Sequence, residues 1–129
     1  MIRFLLLGLL LPGPALAQKV QARLDCQPTG AELVYDCAIR LTRQGKPLSG
    51  AQLAVGADMP SMPMAHNVKP VKAKPGKQPG EYLARLELEM HGEWAVKLRL
   101  SGALREQLVV HYRFTESGAT MSDHRRGRP

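Results

Sequence analysis

Apolar and polar residues alternate along most of this chain, with the period of two that is typical of half-buried β-strands. One of the two longest apolar series is Tyr82, Ala84, Leu86, Leu88 and Met90, and charged residues alternate with its later members. The same alternation recurs in five other segments, at 20–26, 33–41, 51–57, 94–100 and 108–114. Trp94 falls on the inward side of its segment and is expected to anchor the core. No segment keeps a helical period, so the pattern predicts an all-β protein.

Turns rich in glycine and proline separate these segments, as in antiparallel folds. For a single domain of this size, the pattern predicts an immunoglobulin-like antiparallel β-sandwich of about seven strands at residues 18–114. Two regions do not fit as strands. Residues 60–79 contain five prolines and four lysines and are expected to form a long solvated connection. The polar segment 115–129 is expected to be a disordered basic tail.

The first 17 residues have the features of a cleavable export signal. Arg3 precedes an apolar run, which is too short to span a bilayer, and Ala15-Leu16-Ala17 matches a small-x-small cleavage pattern. The mature protein is then expected to begin at Gln18 and to be periplasmic or secreted. An uncleaved anchor is the alternative.

The sequence carries a formal charge of +7. An exported protein does not meet the genome, and the few aromatic residues offer no platform for stacking bases, so nucleic acid is not expected as a partner. The charge favours an anionic membrane surface or an acidic protein. A role in solubility alone is the alternative, because the basic residues are spread along the chain.

Cys26 and Cys37 are the only cysteines, and both fall on the core side of their predicted strands. An oxidising compartment favours a disulfide between them, worth about 2–3 kcal/mol in the chain-entropy model. Two reduced thiols that bind metal are the alternative.

Residues 59–66 contain three methionines and a histidine. Thioether sulfur and neutral imidazole suit Cu(I), and methionine needs no deprotonation and forms no disulfide. A methionine and a histidine at the end of a later strand would complete the site if the fold brings them near residue 64. The candidate metal ligands are thus Met59, Met62, Met64, His66, Met90 and His91. The alternatives are core packing for Met90, and an apolar lid or a docking patch for the 59–64 cluster.

Four segments resemble the YtkA-like domain family, which is related to FixH-like proteins. They are Gly45–Ala51, Ala57–His66, Pro79–Tyr82 and Met90–Trp94, within a similarity that covers roughly residues 20–114. The resemblance implies an extracytoplasmic immunoglobulin-like domain associated with copper handling and with the assembly of copper-containing oxidases. FixH-like members carry a membrane anchor, whereas this chain shows a signal peptide.

The sequence contains no catalytic motif and no pair of carboxylates placed for acid–base chemistry, so an enzyme is not expected. The leading hypothesis is a periplasmic protein that binds Cu(I) through the Met/His cluster and exchanges it with a partner, such as a copper efflux or oxidase-assembly component. The alternative is a non-metal interaction module that docks a membrane or efflux partner through its methionine-rich edge.

Overall fold

The computed structural model of the protein describes Gly8, residues 19–62 and residues 66–122. These residues form β-strands and no helix. The strands are β1 (Val20–Pro28), β2 (Val34–Arg43), β3 (Lys46–Pro47), β4 (Gln52–Asp58), β5 (Asn67–Lys72), β6 (Lys74–Pro75), β7 (Glu81–Glu87), β8 (Gly92–Ser101), β9 (Glu106–Thr115) and β10 (Gly118–Met121). Within the described residues, no helix is long and apolar enough to cross a membrane.

Two antiparallel sheets make up the domain. One has the order β1-β2-β7-β6, with β3 also paired to β2, and the other has the order β10-β9-β8-β4-β5. The prediction of an all-β antiparallel fold is confirmed, and the two sheets are consistent with an immunoglobulin-like sandwich.

The core lies between the inner faces of the sheets, where the apolar members of each alternating series meet. Ile39, Val55, Leu86 and Phe114 are completely buried. Trp94 is also completely buried, and its indole N–H donates to the carbonyl of Met90 at 3.1 Å. The expectation that Trp94 anchors the core is therefore confirmed.

The two cysteines form a disulfide across β1 and β2. Cys26 lies directly opposite Cys37 in the strand register, with their Cα atoms 4.0 Å apart. Both are buried. The predicted pairing is confirmed, and the alternative of two metal-binding thiols is wrong, since neither cysteine is free.

The expected solvated connection at residues 60–79 is wrong for Asn67–Lys72 and Lys74–Pro75, which form β5 and β6. Proline is tolerated there because β5 is an edge strand, and an edge strand needs backbone donors on one side only. The register of β4 on β5 shifts between Val55 and Ala57. This irregularity accommodates the segment that contains Pro70.

The expected disordered tail is wrong for Gly118–Met121, which forms β10 and pairs with β9. Gly118 has a φ of +134°, and a Cβ atom there would lie 2.8 Å from the Cys26 carbonyl oxygen. Glycine therefore allows β10 to approach β1 closely. Residues 123–129 of the predicted tail lie outside the described residues, as do most of residues 1–17.

Four connections gather at one end of the sandwich because of the strand register. Glu87 at the end of β7 pairs with Val34 at the start of β2, and Asp58 at the end of β4 pairs with Ala95 near the start of β8. The turns at 29–33 and 116–117, the 59–66 connection and the 88–91 connection therefore share this end. Every candidate metal ligand belongs to one of these last two connections.

Candidate metal centre

The candidate loop, residues 59–66, connects β4 to β5 and is closed by its own backbone. The Met59 N–H donates to the His66 carbonyl at 3.2 Å, the Met62 N–H to the Met59 carbonyl at 3.0 Å, and the His66 N–H to the Met62 carbonyl at 3.1 Å. Three of the predicted ligand residues are thus tied together by main-chain bonds. Met64, the fourth predicted ligand in this loop, lies outside the described residues.

The two described methionines of the loop occupy different environments. Met59 is only 4% exposed and belongs to the core cluster. Its methyl carbon lies over Gly92, at 3.2 Å from where a Cβ atom would be. Met62 is 40% exposed. Met59 therefore connects the loop to the core, while Met62 lies at the surface and is open to solvent.

His66 contacts the connection between β7 and β8. Its Nδ1 atom lies 2.5 Å from Oε2 of Glu89. The histidine side chain is 27% exposed and that of Glu89 is 54% exposed. A carboxylate on Nδ1 favours the proton on that nitrogen and directs the Nε2 lone pair away from Glu89, as in carboxylate–histidine–metal arrangements.

Glu89 is a candidate functional residue that the sequence analysis missed. In the alternating pattern it is one more outward-facing charge beside Met90. No local motif connects it to His66, 23 residues earlier. Glu89 directly precedes the methionine–histidine–glycine sequence that begins at Met90. This position was a possible sign of function in the sequence, but it did not indicate that Glu89 contacts His66.

Met90 and His91 are near the loop in the fold but have different surroundings. Met90 is half-buried and packs against the core, and its carbonyl accepts the Trp94 indole N–H. Met90 thus packs against the core, which was the alternative considered for it. His91 lines a cavity of about 290 Å³ together with Leu33 and Glu116, from the turns after β1 and β9. No described residue of the 59–66 loop lines that cavity.

Tyr35 also lines the cavity beside His91. Its hydroxyl donates to the Thr115 carbonyl at 2.6 Å, and its ring meets the edge of Phe114, with centroids 5.1 Å apart. Burial, together with the nearby Glu116 carboxylate, raises the pKa of Tyr35. A neutral phenol held by a backbone carbonyl acts here as a structural group.

The described part of the loop offers donors of the soft or borderline type, thioether sulfur and imidazole. The described residues contain no group of three or more His, Cys, Asp or Glu side chains that could hold a metal ion. Met59 and Met62 supply the sulfur of this donor set, and His66 supplies the nitrogen. That donor set suits Cu(I) better than it suits Zn²⁺ or Ca²⁺.

A family model described as YtkA-like matches residues 17–99. This protein belongs to the YtkA-like family. The matched part of this YtkA-like chain includes the 59–66 loop, Glu89 and the Met90-His91 pair, and it ends within β8. No curated protein matches the chain significantly, and no solved structure does.

Proposed function

We propose that this YtkA-like protein is an extracytoplasmic copper-handling protein that binds Cu(I) at the 59–66 loop and exchanges it with a partner protein. Met62, Met64 and His66 would be the main ligands. Met59, at the buried base of the loop, would be a further sulfur ligand. Met90 and His91 would contribute less, because one packs against the core and the other lines a separate cavity.

The contact between His66 and Glu89 carries this proposal. A docking patch made of methionines does not need an imidazole, and still less an imidazole oriented by a carboxylate. The Glu89 contact leaves Nε2 as the ring nitrogen for a metal, and the His66 N–H donates to the Met62 carbonyl. Cu(I) bound by thioethers and one imidazole needs no charged ligand.

An oxidising compartment is part of the proposal. The buried Cys26–Cys37 disulfide supports it, since such bonds persist outside the reducing cytosol. The signal-like residues 1–17 support a periplasmic or secreted location for the mature protein. We propose that the role is binding and exchange rather than catalysis.

The alternative is a non-metal interaction module that docks a membrane or efflux partner. The exposed Met62 favours it, since methionine is common at adaptable protein interfaces. Replacing Met62 and Met64 by leucine separates the two functions. Apolar docking would largely persist in that variant, whereas Cu(I) affinity would be lost.

The test is a competition titration of the mature protein with Cu(I) against a chromogenic chelator, under reducing and oxygen-free conditions. The triple variant Met62→Leu/Met64→Leu/His66→Ala is expected to lose the single tight equivalent that the wild type binds. Met121→Leu is the matched control, because this methionine is 56% exposed and lies on β10. Met90→Leu/His91→Ala is expected to lose less affinity than the triple variant. A wild type that does not compete would contradict the metal-binding function.

A further inference from the structure

A groove on the outer face of the second sheet begins beside the 59–66 loop. Ala54 and Gly56 of β4 form its floor, and its volume is about 430 Å³. Small side chains on β4 make the groove because the neighbouring strands carry long ones. Lys69 and Pro70 of β5 line one side of it.

The other side of the groove is basic as well. Lys97 and Arg99 of β8 point outward here, and both are exposed. Asp58 is the acidic residue of the lining, and its carboxylate pairs with Lys97 at 2.6 Å. Among the described residues, Lys69 and Arg99 have no carboxylate partner within salt-bridge distance. The groove therefore has an excess of positive charge that is not neutralised within the described structure.

An exposed apolar side chain lies beyond Lys97 on the same face of the sheet. Val109 of β9 lies opposite Lys97 in the register and is 47% exposed. Lys97 in turn lies opposite Gly56. A side chain from outside can therefore contact Val109 while a neighbouring carboxylate meets Lys97 or Arg99.

The groove leads to the candidate metal loop. It runs along β4 to Asp58 and Asn67, and these two residues pair with each other in the register. Met59 follows Asp58 in the chain, and His66 precedes Asn67. Anything that lies along the groove thus ends next to the first and last residues of the loop.

We propose that this groove binds an extended acidic segment of the protein that exchanges metal with this chain. The inference rests on the proposed copper-handling function, and it names the class of partner and its approach. Carboxylates of the segment pair with Lys69 and Arg99, an apolar residue between them covers Ala54, and an apolar residue beyond Arg99 covers Val109. Charge complementarity of this kind mainly sets the partner, its orientation and the association rate.

The test uses ¹⁵N-labelled protein and a short blocked peptide with the repeat Glu-Glu-Val-Val, whose extended form places glutamate and valine in turn on each face. The peptide with the repeat Gln-Gln-Val-Val is the neutral control. Amide shifts caused by the acidic peptide are expected to concentrate on β4, on Lys69 and on Arg99. The variant Lys69→Glu/Arg99→Glu is expected to weaken binding by about tenfold or more. Arg23→Glu/Lys46→Glu makes the same charge change on the first sheet. This variant is expected to change the affinity for the acidic peptide by less than about twofold.

A second variant tests the shape of the groove without changing its charge. Ala54→Leu fills the floor and is expected to weaken peptide binding while leaving Cu(I) affinity unchanged. Equal binding of the acidic and neutral peptides would overturn the proposal, as would equal effects of the two charge reversals.

Other occupants give different results. Binding to phosphatidylglycerol vesicles that depends on Lys69 and Arg99, without peptide binding, would overturn the proposal in favour of a membrane surface. Self-association that the groove variant abolishes would overturn it in favour of a second copy. The proposed metal site is tested separately. A wild type that binds the acidic peptide but not Cu(I) would refute only the copper function. A wild type that binds Cu(I) but not the peptide would refute only the groove.

Discussion

Glu89 approaches His66 from the connection after β7 and meets the Nδ1 atom of its ring. This contact gives His66 a defined orientation before any metal arrives. In the proposed copper site, the imidazole would bind Cu(I) through Nε2 with little loss of side-chain freedom, since its rotation is already restricted.

Replacement of Glu89 by alanine is therefore expected to weaken Cu(I) binding without removing a ligand. Loss of a carboxylate that orients a metal-bound histidine costs about 10–100-fold in affinity. The measurement is the chelator competition titration, with Glu87→Ala as the control because Glu87 is an exposed glutamate on β7. Unchanged affinity in Glu89→Ala would show that the His66 contact has no part in binding.

At the scale of single residues, the sequence predicts a set of soft donors, and it does not contain their surroundings. Methionine and histidine spacing in the 59–66 loop pointed to a soft metal, and local chain geometry allowed several ligands on one side. The burial of Met59 and the separate cavity of His91 depend on strand register. The pairing of β4 with β8 brings Met59 next to Gly92, and no local sequence pattern contains this pairing.

Among the strands, β2 and β7 are linked by a cross-strand ion pair on their outer face. Asp36 lies opposite Arg85, and the Arg85 Nε–H donates to Asp36 Oδ1 at 2.8 Å. This hydrogen bond and the arginine charge hold the pKa of Asp36 below its ordinary value of 3.8. The pair therefore stabilises the folded state above pH 3.8, and this contribution disappears as the pH falls through the lowered pKa.

Asp36→Asn is accordingly expected to melt at a slightly lower temperature than the wild type near neutral pH. The difference should be small, because both side chains are exposed. It should vanish at pH values below the lowered pKa of Asp36. Thermal unfolding across a pH series measures it. Asp25→Asn serves as the control, since Asp25 accepts a hydrogen bond from Gln27 rather than from an arginine. A difference that persists in acid would contradict this assignment.

The disulfide between β1 and β2 restricts the unfolded chain as well as joining two strands. Its loop is short, with a sequence separation of 11, and the chain-entropy model gives about 3 kcal/mol for such a loop. Cys26→Ala/Cys37→Ala is expected to lower the free energy of unfolding by about that amount. Urea denaturation measures the change. An oxidised wild type no more stable than the double variant would contradict it.

Strands with a long alternating pattern were predicted correctly from the sequence. The strands that were missed lie in segments that are rich in proline or that lack an apolar series. Five prolines among residues 60–79 predicted a loop, yet β5 forms there because it is an edge strand that pairs with β4 alone. The short strand β10 lacks an apolar series, and its place depends on the close approach of Gly118 to β1. Both strands are stabilised by tertiary contacts, which local patterns do not record.

For the whole molecule, β10 extends the folded domain beyond the boundary predicted from the sequence. It pairs with β9 and lies against β1, so it helps close one side of the sandwich. A chain of residues 18–114 is expected to unfold at a lower urea concentration than one of residues 18–122. Equal midpoints for the two chains would show that residues 115–122 add nothing to the fold.

The overall architecture follows from the alternating pattern more directly than the site does. Two sheets form because each strand has one apolar face, and the inward residues of both sheets fill the core. Which loops meet at one end depends on how the strands pair. The 59–66 and 88–91 connections lie at the same end because β4 pairs with β8. The alternating pattern does not contain this pairing.

Copper K-edge X-ray absorption of the Cu(I)-loaded chain of residues 18–129 tests the central claim most directly, because it reports which atoms surround the metal. The account predicts Cu(I) bound by thioether sulfur and one imidazole nitrogen, with the nitrogen signal lost in His66→Ala and reduced in Glu89→Ala. A spectrum without a histidine contribution, or one that His66→Ala leaves unchanged, would contradict the assignment of the 59–66 loop as the copper site.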